Sequence, residues 1–383
     1  MTLKKKARVL IFVFCIALYI YPSAQVRHEY KPVIIGYVGG YRGLAETGTI
    51  DARRLSHINY AFVDIKDNRA WLHNEKTDTI NFRNLLLLKA QNPDLKILIS
   101  VGGWIWSKHF SDAVLTDTST QNFAQSAVDI VARYGLDGID IDWEYPGMVG
   151  DSNTYRPEDK EHYTNLFKDL RQILDSLGKV TGKTYFVTTA VGGSADFIEH
   201  TQMNLVQLYT DYINVMSYDY DETYDSISSH HTNLFTSAGY DQLYSADKSI
   251  QNLLKAGVPA RKIVMGIAFY GKGRLMASTD NNGLYRKPVK TLFGGGFTYI
   301  HDSLVNKKGF VRYWDRKAKA PYLFNAGEKV FITYDDQESV KYKCKYVKRH
   351  RLAGAMFWEY SSDEKEYLLK VMAEEFGYKE AGD

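Results

Sequence analysis

The chain has 383 residues, of which 45% are hydrophobic and 24% charged, a composition that excludes collagen-like and largely disordered proteins. This length suits one large domain with an insertion, or two domains. The formal net charge of +3 depends on basic residues near the N-terminus, so it gives no reason to expect binding to nucleic acid or to an anionic membrane.

Residues 1–24 have the pattern of a secretory signal peptide. Four basic residues precede an apolar run, Val9–Ile20, that is shorter than the usual transmembrane helix of about 20 residues. Pro22 and two small residues follow it, so we expect cleavage near Ala24–Gln25. Losing four positive charges and no acid from a net charge of +3 leaves −1. We therefore expect a secreted, periplasmic or cell-envelope protein without membrane contact after cleavage; an uncleaved anchor is the alternative.

Cofactor-binding patterns are missing from the sequence. The two cysteines are Cys15, which leaves with the signal peptide, and Cys344, so we expect no internal disulfide. There is no metal-ligand spacing of Cys and His and no phosphate-binding glycine loop. The adjacent residues His230 and His231 are expected to be a polar pair in a loop. We predict neither a metal nor another cofactor.

Short apolar runs of β type alternate with longer helical patterns along the rest of the chain. This alternation predicts a parallel sheet, and eight such runs over about 250 residues predict a (β/α)8 TIM barrel. The eight runs are Val33–Tyr37, Ile58–Phe62, Lys96–Val101, Gly138–Asp142, Tyr185–Ala190, Tyr212–Met216, Ile263–Ile267 and Ala353–Phe357. The helical patterns are Asn81–Asn92, Thr120–Tyr134, Pro157–Leu177, Ala246–Ala256 and Glu338–His350.

One interval between the seventh and eighth runs breaks the alternation. It contains three consecutive glycines, Gly294–Gly296, and β-like pieces such as Val330–Tyr334. Structureless loops of such length are rare in compact domains. We therefore predict a small α+β insertion domain at residues 272–334 and assign residues 32–271 and 335–377 to the barrel.

Three acidic residues alternate with apolar ones at the fourth run. On a strand, Asp140, Asp142 and Glu144 share one face at a spacing of roughly 6–7 Å, and the apolar residues between them share the other. In a barrel the apolar face meets the helices, so the acids point inward, and burial with mutual repulsion must raise at least one pKa. Glu144 is outermost, where barrel enzymes place their chemistry, and suits a general acid. A metal site or a solvated acidic turn is the alternative.

The segment Asp137–Pro146 resembles the DxxDxDxE signature of glycoside hydrolase family 18, the chitinase family, with all four acids present. The resemblance extends over about residues 32–375, and residues 272–334 resemble the insertion domain of chitinases. Further matching segments are Ser100–Trp104 with the SxGG motif, Met216–Asp219 with the MxYD motif, Phe269–Gly271 with the seventh strand and Phe357–Glu359 with the eighth.

This resemblance implies roles for individual residues. Glu144 would be the general acid, Asp142 would orient the N-acetyl group of the sugar, and Asp140 would share a proton with Asp142. Tyr218 would donate a hydrogen bond to the acetamide, and Asp137 would be a structural support. The implied substrate contacts are Tyr37, Phe62, Trp104, Tyr145, Met216, Asp219, Tyr270 and Trp358, of which Trp358 would form the floor under the sugar ring.

The activity that the resemblance implies is hydrolysis of β-1,4-linked N-acetylglucosamine in chitin or its oligomers, with retention. Family 18 is an exception among retaining glycosidases, because the substrate's own acetamide replaces the carboxylate nucleophile. An endo-β-N-acetylglucosaminidase acting on N-glycans, or an enzyme acting on peptidoglycan, remains an alternative. An inactive sugar-binding lectin is a further one, although such proteins usually lack the acid at the position of Glu144. We expect a monomer.

Overall fold

The structure is a computed structural model and describes residues 30–221, 226–237 and 244–378. The predicted signal peptide and its cleavage site lie outside these residues. The strands of the described part of the chain are β1 Val33–Gly39, β2 His57–Lys66, β3 Arg69–Trp71, β4 Lys96–Gly102, β5 Gly138–Asp142, β6 Phe186–Val191, β7 Tyr212–Val215, β8 Ile263–Ala268, β9 Tyr270–Met276, β10 Pro288–Gly296, β11 Phe310–Asp315, β12 Ala320–Asn325, β13 Val330–Thr333 and β14 Gly354–Trp358.

Eight of these strands form a closed parallel barrel. Their order is β1-β14-β8-β7-β6-β5-β4-β2, and β1 also pairs with β2, which closes the cylinder. The short strand β3 pairs antiparallel with β2 and lies outside the ring. Each of the eight predicted runs overlaps one barrel strand, so the predicted (β/α)8 barrel is confirmed.

The helices of the described residues are α1 Glu75–Leu87, α2 Gly103–Trp106, α3 Phe110–Ala113, α4 Asp117–Tyr134, α5 Asp159–Thr181, α6 Ala195–Glu199, α7 Met203–Tyr209, α8 Ala246–Lys255, α9 Phe297–Ser303, α10 Gln337–His350 and α11 Tyr367–Phe376. The longer ones bury apolar residues in one core with the barrel strands, whereas α9 follows β10. The helix α4 begins with a capping box formed by Thr116 and Ser119 and ends at Gly135, whose φ of 70° is left-handed. Gly182 ends α5 in the same way.

The first long helix begins earlier than its apolar pattern predicts. The pattern indicates a start at Asn81, whereas α1 begins at Glu75. The side chain of Asn74 caps the helix by accepting a hydrogen bond from the amide of Thr77. The negative charges of acidic residues in the first turn interact favourably with the positive end of the helix dipole. This first turn is polar, so hydrophobic periodicity does not detect it.

The stretch between β8 and β14 forms a second sheet with its own core. Five antiparallel strands lie in the order β10-β9-β13-β12-β11, and α9 follows β10. Their apolar cluster is formed by Met276, Leu284, Tyr322, Phe324 and Phe331. The first strand starts at Tyr270, one residue after Phe269, so this sheet continues directly from the seventh barrel strand.

A buried ion pair fixes the point where the chain returns from this second sheet to the barrel. The carboxylate of Asp335 accepts hydrogen bonds from Lys343 Nζ at 2.5 Å, from Thr232 Oγ1 at 2.8 Å and from Ser339 Oγ at 2.6 Å. It also accepts one at 3.3 Å from the amide of Ala268, at the end of β8. The side chains of Asp335 and Lys343 are 1% and 0% exposed, so each relies on the other for its charge.

We expect Lys343→Met to lower the free energy of unfolding by about 3–5 kcal/mol, because it leaves the charge of Asp335 buried without a cation. The control is Lys341→Met on the same helix, where the side chain is 57% exposed and Nζ lies 3.9 Å from Glu375; we expect a change within about 0.5 kcal/mol. Urea denaturation measures both. Similar losses for the two variants would show that the buried pair has no special role.

Candidate active site

Asp140 lies inside the barrel and is held by donors from four other strands. Its Oδ2 accepts hydrogen bonds from Tyr37 Oη at 2.9 Å and Ser100 Oγ at 2.7 Å, and its Oδ1 from Thr188 Oγ1 at 2.5 Å and Asn214 Nδ2 at 3.2 Å. Burial raises its pKa, although these four donors act in the opposite direction. The apolar residues that alternate with the acids lie in the main core between strands and helices.

Asp142 is the next acid along β5, and fewer hydrogen-bond donors compensate its burial. Its exposed fraction is 4%, and no donor among the described residues reaches its Oδ1. Burial, followed by the charges of Glu144 and Asp140, raises its pKa well above the ordinary value. Asp142 therefore keeps a proton under conditions in which an ordinary aspartic acid is ionised.

Glu144 follows the end of β5 and lies near Tyr145 and Tyr218. It is buried, and the hydroxyl of Tyr145 hydrogen-bonds to it. Burial and the charge of Asp142 raise the pKa of Tyr218, which lies just after β7, well above its ordinary value, and Asp219 and Glu144 add to the effect. Tyr218 consequently stays protonated and can donate a hydrogen bond at any pH at which the protein functions.

Aromatic side chains form the floor beside these acids. Trp358, at the end of β14, lies 5.3 Å from Phe62 and 5.8 Å from Tyr37 between ring centroids. Tyr41 runs nearly parallel to Trp358 at 6.2 Å. Met216 and Tyr218 pack against the same cluster. A flat apolar surface next to carboxylates and hydroxyl groups suits a sugar ring, which has apolar faces and polar edges.

Asp219 lies at the boundary between the barrel and the second sheet. It accepts a hydrogen bond from Tyr270 Oη at 2.6 Å and pairs with Lys272 Nζ at 2.9 Å. Burial would raise its pKa, but the neighbouring His231 and Lys272 hold it well below the ordinary value. Asp219 is therefore an anion that the first strand of the second sheet keeps in place.

A group of possible metal ligands surrounds this aspartate. Oxygen and nitrogen atoms of Asp219, Asp221 and His231 lie within 4.8 Å of one another. Lys272 Nζ is 3.5 Å from Asp221, and Arg274 pairs with Asp221 at 2.9 Å. Both acids are thus paired with side-chain cations, which leaves little negative charge to attract a metal ion.

Two of the candidate residues lie away from this centre. Asp137 is on the opposite face of the β5 segment, where it pairs with Lys89 Nζ at 2.6 Å and accepts a hydrogen bond from the amide of Ile97 at 2.8 Å. Trp104 is 50% exposed and meets the edge of Tyr145 at 6.3 Å between centroids. Trp104 therefore lies at the outer edge of the site.

A cleft of about 490 Å³ leads away from the aromatic floor, between the end of β14 and the second sheet. Trp358 and Tyr270 both line it. Phe293 on β10 also lines it and is 93% exposed. Other residues along the cleft are Arg42, Tyr299, Glu359, Ser361 and Glu364.

Residues 33–363 match the family described as "Glycosyl hydrolases family 18". The chain belongs to glycosyl hydrolase family 18. It is 37% identical over 409 residues to chitinase A1 of Niallia circulans, a match that covers 90% of this chain and 58% of that protein. The chain thus spans just over half the length of this relative. It is 31% identical to chitinase B of Serratia marcescens, covering 82% of this chain and 74% of the relative.

Solved structures of family 18 have the same fold. The N-acetylglucosaminidase of this family from Paenibacillus barengoltzii superposes with a TM-score of 0.83 at 39% identity. The match covers 90% of this chain and 99% of that one. Similarity therefore extends over both the barrel and the second sheet.

Several residues of the site were not identified from sequence. Thr188 and Asn214 hold Asp140, and Tyr41 extends the aromatic floor. A signal was available for the first two, because each is a polar residue within a predicted buried strand. Tyr41 follows β1 in a loop, and no pattern in the sequence indicates that its ring faces Trp358.

We expect Asp142→Asn to stabilise the protein at pH 7. The folded protein binds the proton of Asp142 more tightly than the unfolded chain, so wild-type stability falls as the pH rises from the ordinary pKa, 3.8, towards the raised one. Each unit of the shift costs about 1.4 kcal/mol at higher pH. The amide removes this cost, so its melting temperature should exceed that of the wild type at pH 7, by a margin that shrinks towards pH 4. Asp137→Asn, which breaks an ion pair, should not raise the melting temperature. An equal rise in both variants would contradict the raised pKa of Asp142.

Proposed function

We propose that the protein is a retaining chitinase that hydrolyses β-1,4 bonds between N-acetylglucosamine units in chitin or its oligomers. The observation that carries the proposal is the row of acids along β5 and just after its end, in which the buried Asp142 lies between Asp140 and Glu144 and burial raises its pKa. Membership of family 18 and the names of the relatives support the same activity.

The chemistry proceeds in two displacements at the anomeric carbon, which take place on opposite faces of the sugar ring. The sugar ring rests on Trp358, and Glu144 protonates the glycosidic oxygen. The acetamide oxygen attacks the anomeric carbon, forming an oxazolinium ion while the rest of the chain leaves as an alcohol. Water, deprotonated by Glu144, then opens the ring from the side on which the leaving group departed, so the configuration is retained.

Asp142 and Tyr218 act on the acetamide. The raised pKa of Asp142 lets it carry a proton before the attack. As the oxazolinium ion forms, Asp142 gives this proton to Asp140 and becomes the anion that balances the positive charge. Tyr218 remains a donor throughout, because its pKa is raised as well. Burial, then the charge of Glu144 and then that of Asp140 raise the pKa of Asp142. Asp140, held by its four donors, is the fixed neighbour that can share the proton of Asp142.

N-acetylglucosaminidase activity, with release of single sugars, is the second candidate. The solved structure that matches this chain over 99% of its own length has that name. The bond cleaved belongs to the same class, so the two candidates differ in product length. The test is a product analysis on chitin oligomers, an N-glycopeptide and peptidoglycan, run side by side. The length of the products from chitin oligomers distinguishes a chitinase from an N-acetylglucosaminidase, and cleavage of the other two substrates would show activity on other glycans.

Export is part of the proposal. Residues 1–24 have the pattern of a signal peptide, and no helix in the described ranges is long and apolar enough to cross a bilayer. We propose a secreted or cell-envelope monomer that meets chitin outside the cytoplasm.

We expect Glu144→Gln to lower kcat on chitin oligomers by about 10²–10⁴-fold, the usual contribution of a general acid, while oligosaccharide binding persists. The control is Glu374→Gln, the same chemical change at an exposed residue of α11 outside the cleft, which should leave kcat nearly unchanged. Steady-state rates and calorimetric binding measure both variants. If Glu144→Gln retained more than about a tenth of the wild-type rate, Glu144 would not be the acid.

A further inference from the structure

The hydroxyl of Ser107 joins the main chain on either side of Trp143. Its Oγ accepts a hydrogen bond from the amide of Glu144 at 2.9 Å and donates one to the carbonyl of Asp142, also at 2.9 Å. Ser107 is fully buried. A single hydroxyl group thus connects the backbones of the two acids to which the chemistry is assigned.

The end of β4 is built so that Ser107 can reach this position. Gly102 has a φ of 110°, and a Cβ there would lie 2.3 Å from the carbonyl oxygen of Asp142, so only glycine permits the turn. The single helical turn α2 follows at once, and the amide of Ser107 closes it with a hydrogen bond to the carbonyl of Gly103 at 3.1 Å. This turn brings Ser107 back against the end of β5.

The two hydrogen bonds restrict the backbone between Asp142 and Glu144, which sets the direction of the Glu144 side chain. Regular pairing of β5 ends at Asp142, and beyond this end the amide of Glu144 donates its hydrogen bond to Ser107. The carbonyl of Asp142 and the amide of Glu144 belong to the two peptide units on either side of Trp143. Because Ser107 binds both, it limits the rotation of these units about the backbone bonds of Trp143. These rotations set where the side chain of Glu144 points relative to that of Asp142.

We infer that Ser107 is a positioning residue for the reaction. It does not touch the substrate; its hydroxyl holds the carboxyl group of Glu144 at the place where it can protonate the glycosidic oxygen of a sugar whose acetamide faces Asp142. This inference rests on the proposed function, because it takes Glu144 as the general acid. A misplacement of about 1 Å in such a geometry can cost about 100-fold in rate.

A second buried serine provides a matched control. Ser126 on α4 accepts a hydrogen bond from the amide of Ala70 at 2.8 Å and donates one to the carbonyl of Phe123 at 2.7 Å. It is 5% exposed, and its partners belong to β3 and α4, away from β5. Ser126→Ala therefore removes the same two kinds of bond without affecting the acids.

The experiment compares kcat/KM for two aryl glycosides of diacetylchitobiose, one with a dinitrophenyl and one with an unsubstituted phenyl leaving group. Dinitrophenolate leaves without protonation, whereas phenolate depends on the acid. We expect Ser107→Ala to lose about 10- to 100-fold on the phenyl glycoside and far less on the dinitrophenyl one. The ratio of the two values does not depend on the folded fraction, so partial unfolding does not change it.

Further variants separate the possible failures. Ser126→Ala should leave the ratio at its wild-type value, and Ser107→Thr, which keeps the hydroxyl, should restore it. If Ser107→Ala does not fold, Ser107→Cys replaces it, because a thiol is only a weak donor and acceptor. A wild-type ratio in the alanine or cysteine variant overturns the inference. Glu144→Gln should change the ratio most; if it does not, the proposed function fails, whatever Ser107 does.

Discussion

Removing carboxylates from water inside the barrel is the constraint on which the rest of this structure depends. A buried carboxylate is unfavourable unless donors or a proton compensate it. Asp140 is compensated by four donors from four strands, whereas Asp142 is compensated mainly by keeping its proton. The two residues lie one pleat apart on β5. Because Asp140 is held by four donors and Asp142 is not, we assign proton sharing to Asp140 and contact with the acetamide to Asp142.

The barrel strands meet this constraint by dividing their faces. Tyr37, Ser100, Thr188 and Asn214 point inward from β1, β4, β6 and β7, while the apolar residues of the same strands pack against the helices. Stability therefore comes from the outer layer, and the inner face is available for chemistry. Such a division explains how a buried set of acids persists in a stable protein.

Much of this arrangement could be predicted from the sequence because it depends on local patterns. Alternation of apolar runs with helical stretches indicated the barrel, and the spacing of Asp140, Asp142 and Glu144 placed the acids on one face of a strand. Contacts between distant segments left no such pattern. Ser107 reaches β5 only because Gly102 turns the chain. Lys272 meets Asp219 only because the second sheet begins directly after β8, the neighbour of β7 in the barrel. The polar first turn of α1 was missed because it has no apolar periodicity.

The proposed mechanism depends most on the acetamide as the nucleophile, since this role of the substrate gives Asp142 and Tyr218 their proposed task beside Glu144. The direct test compares kcat/KM for two aryl chitobiosides that differ only in the cleaved sugar, one N-acetylated and the other with a free amine. We predict no turnover of the amine above background, because no oxazolinium ion can form. Turnover of the amine within about tenfold of the acetylated substrate would contradict the account, since binding alone would then explain the preference.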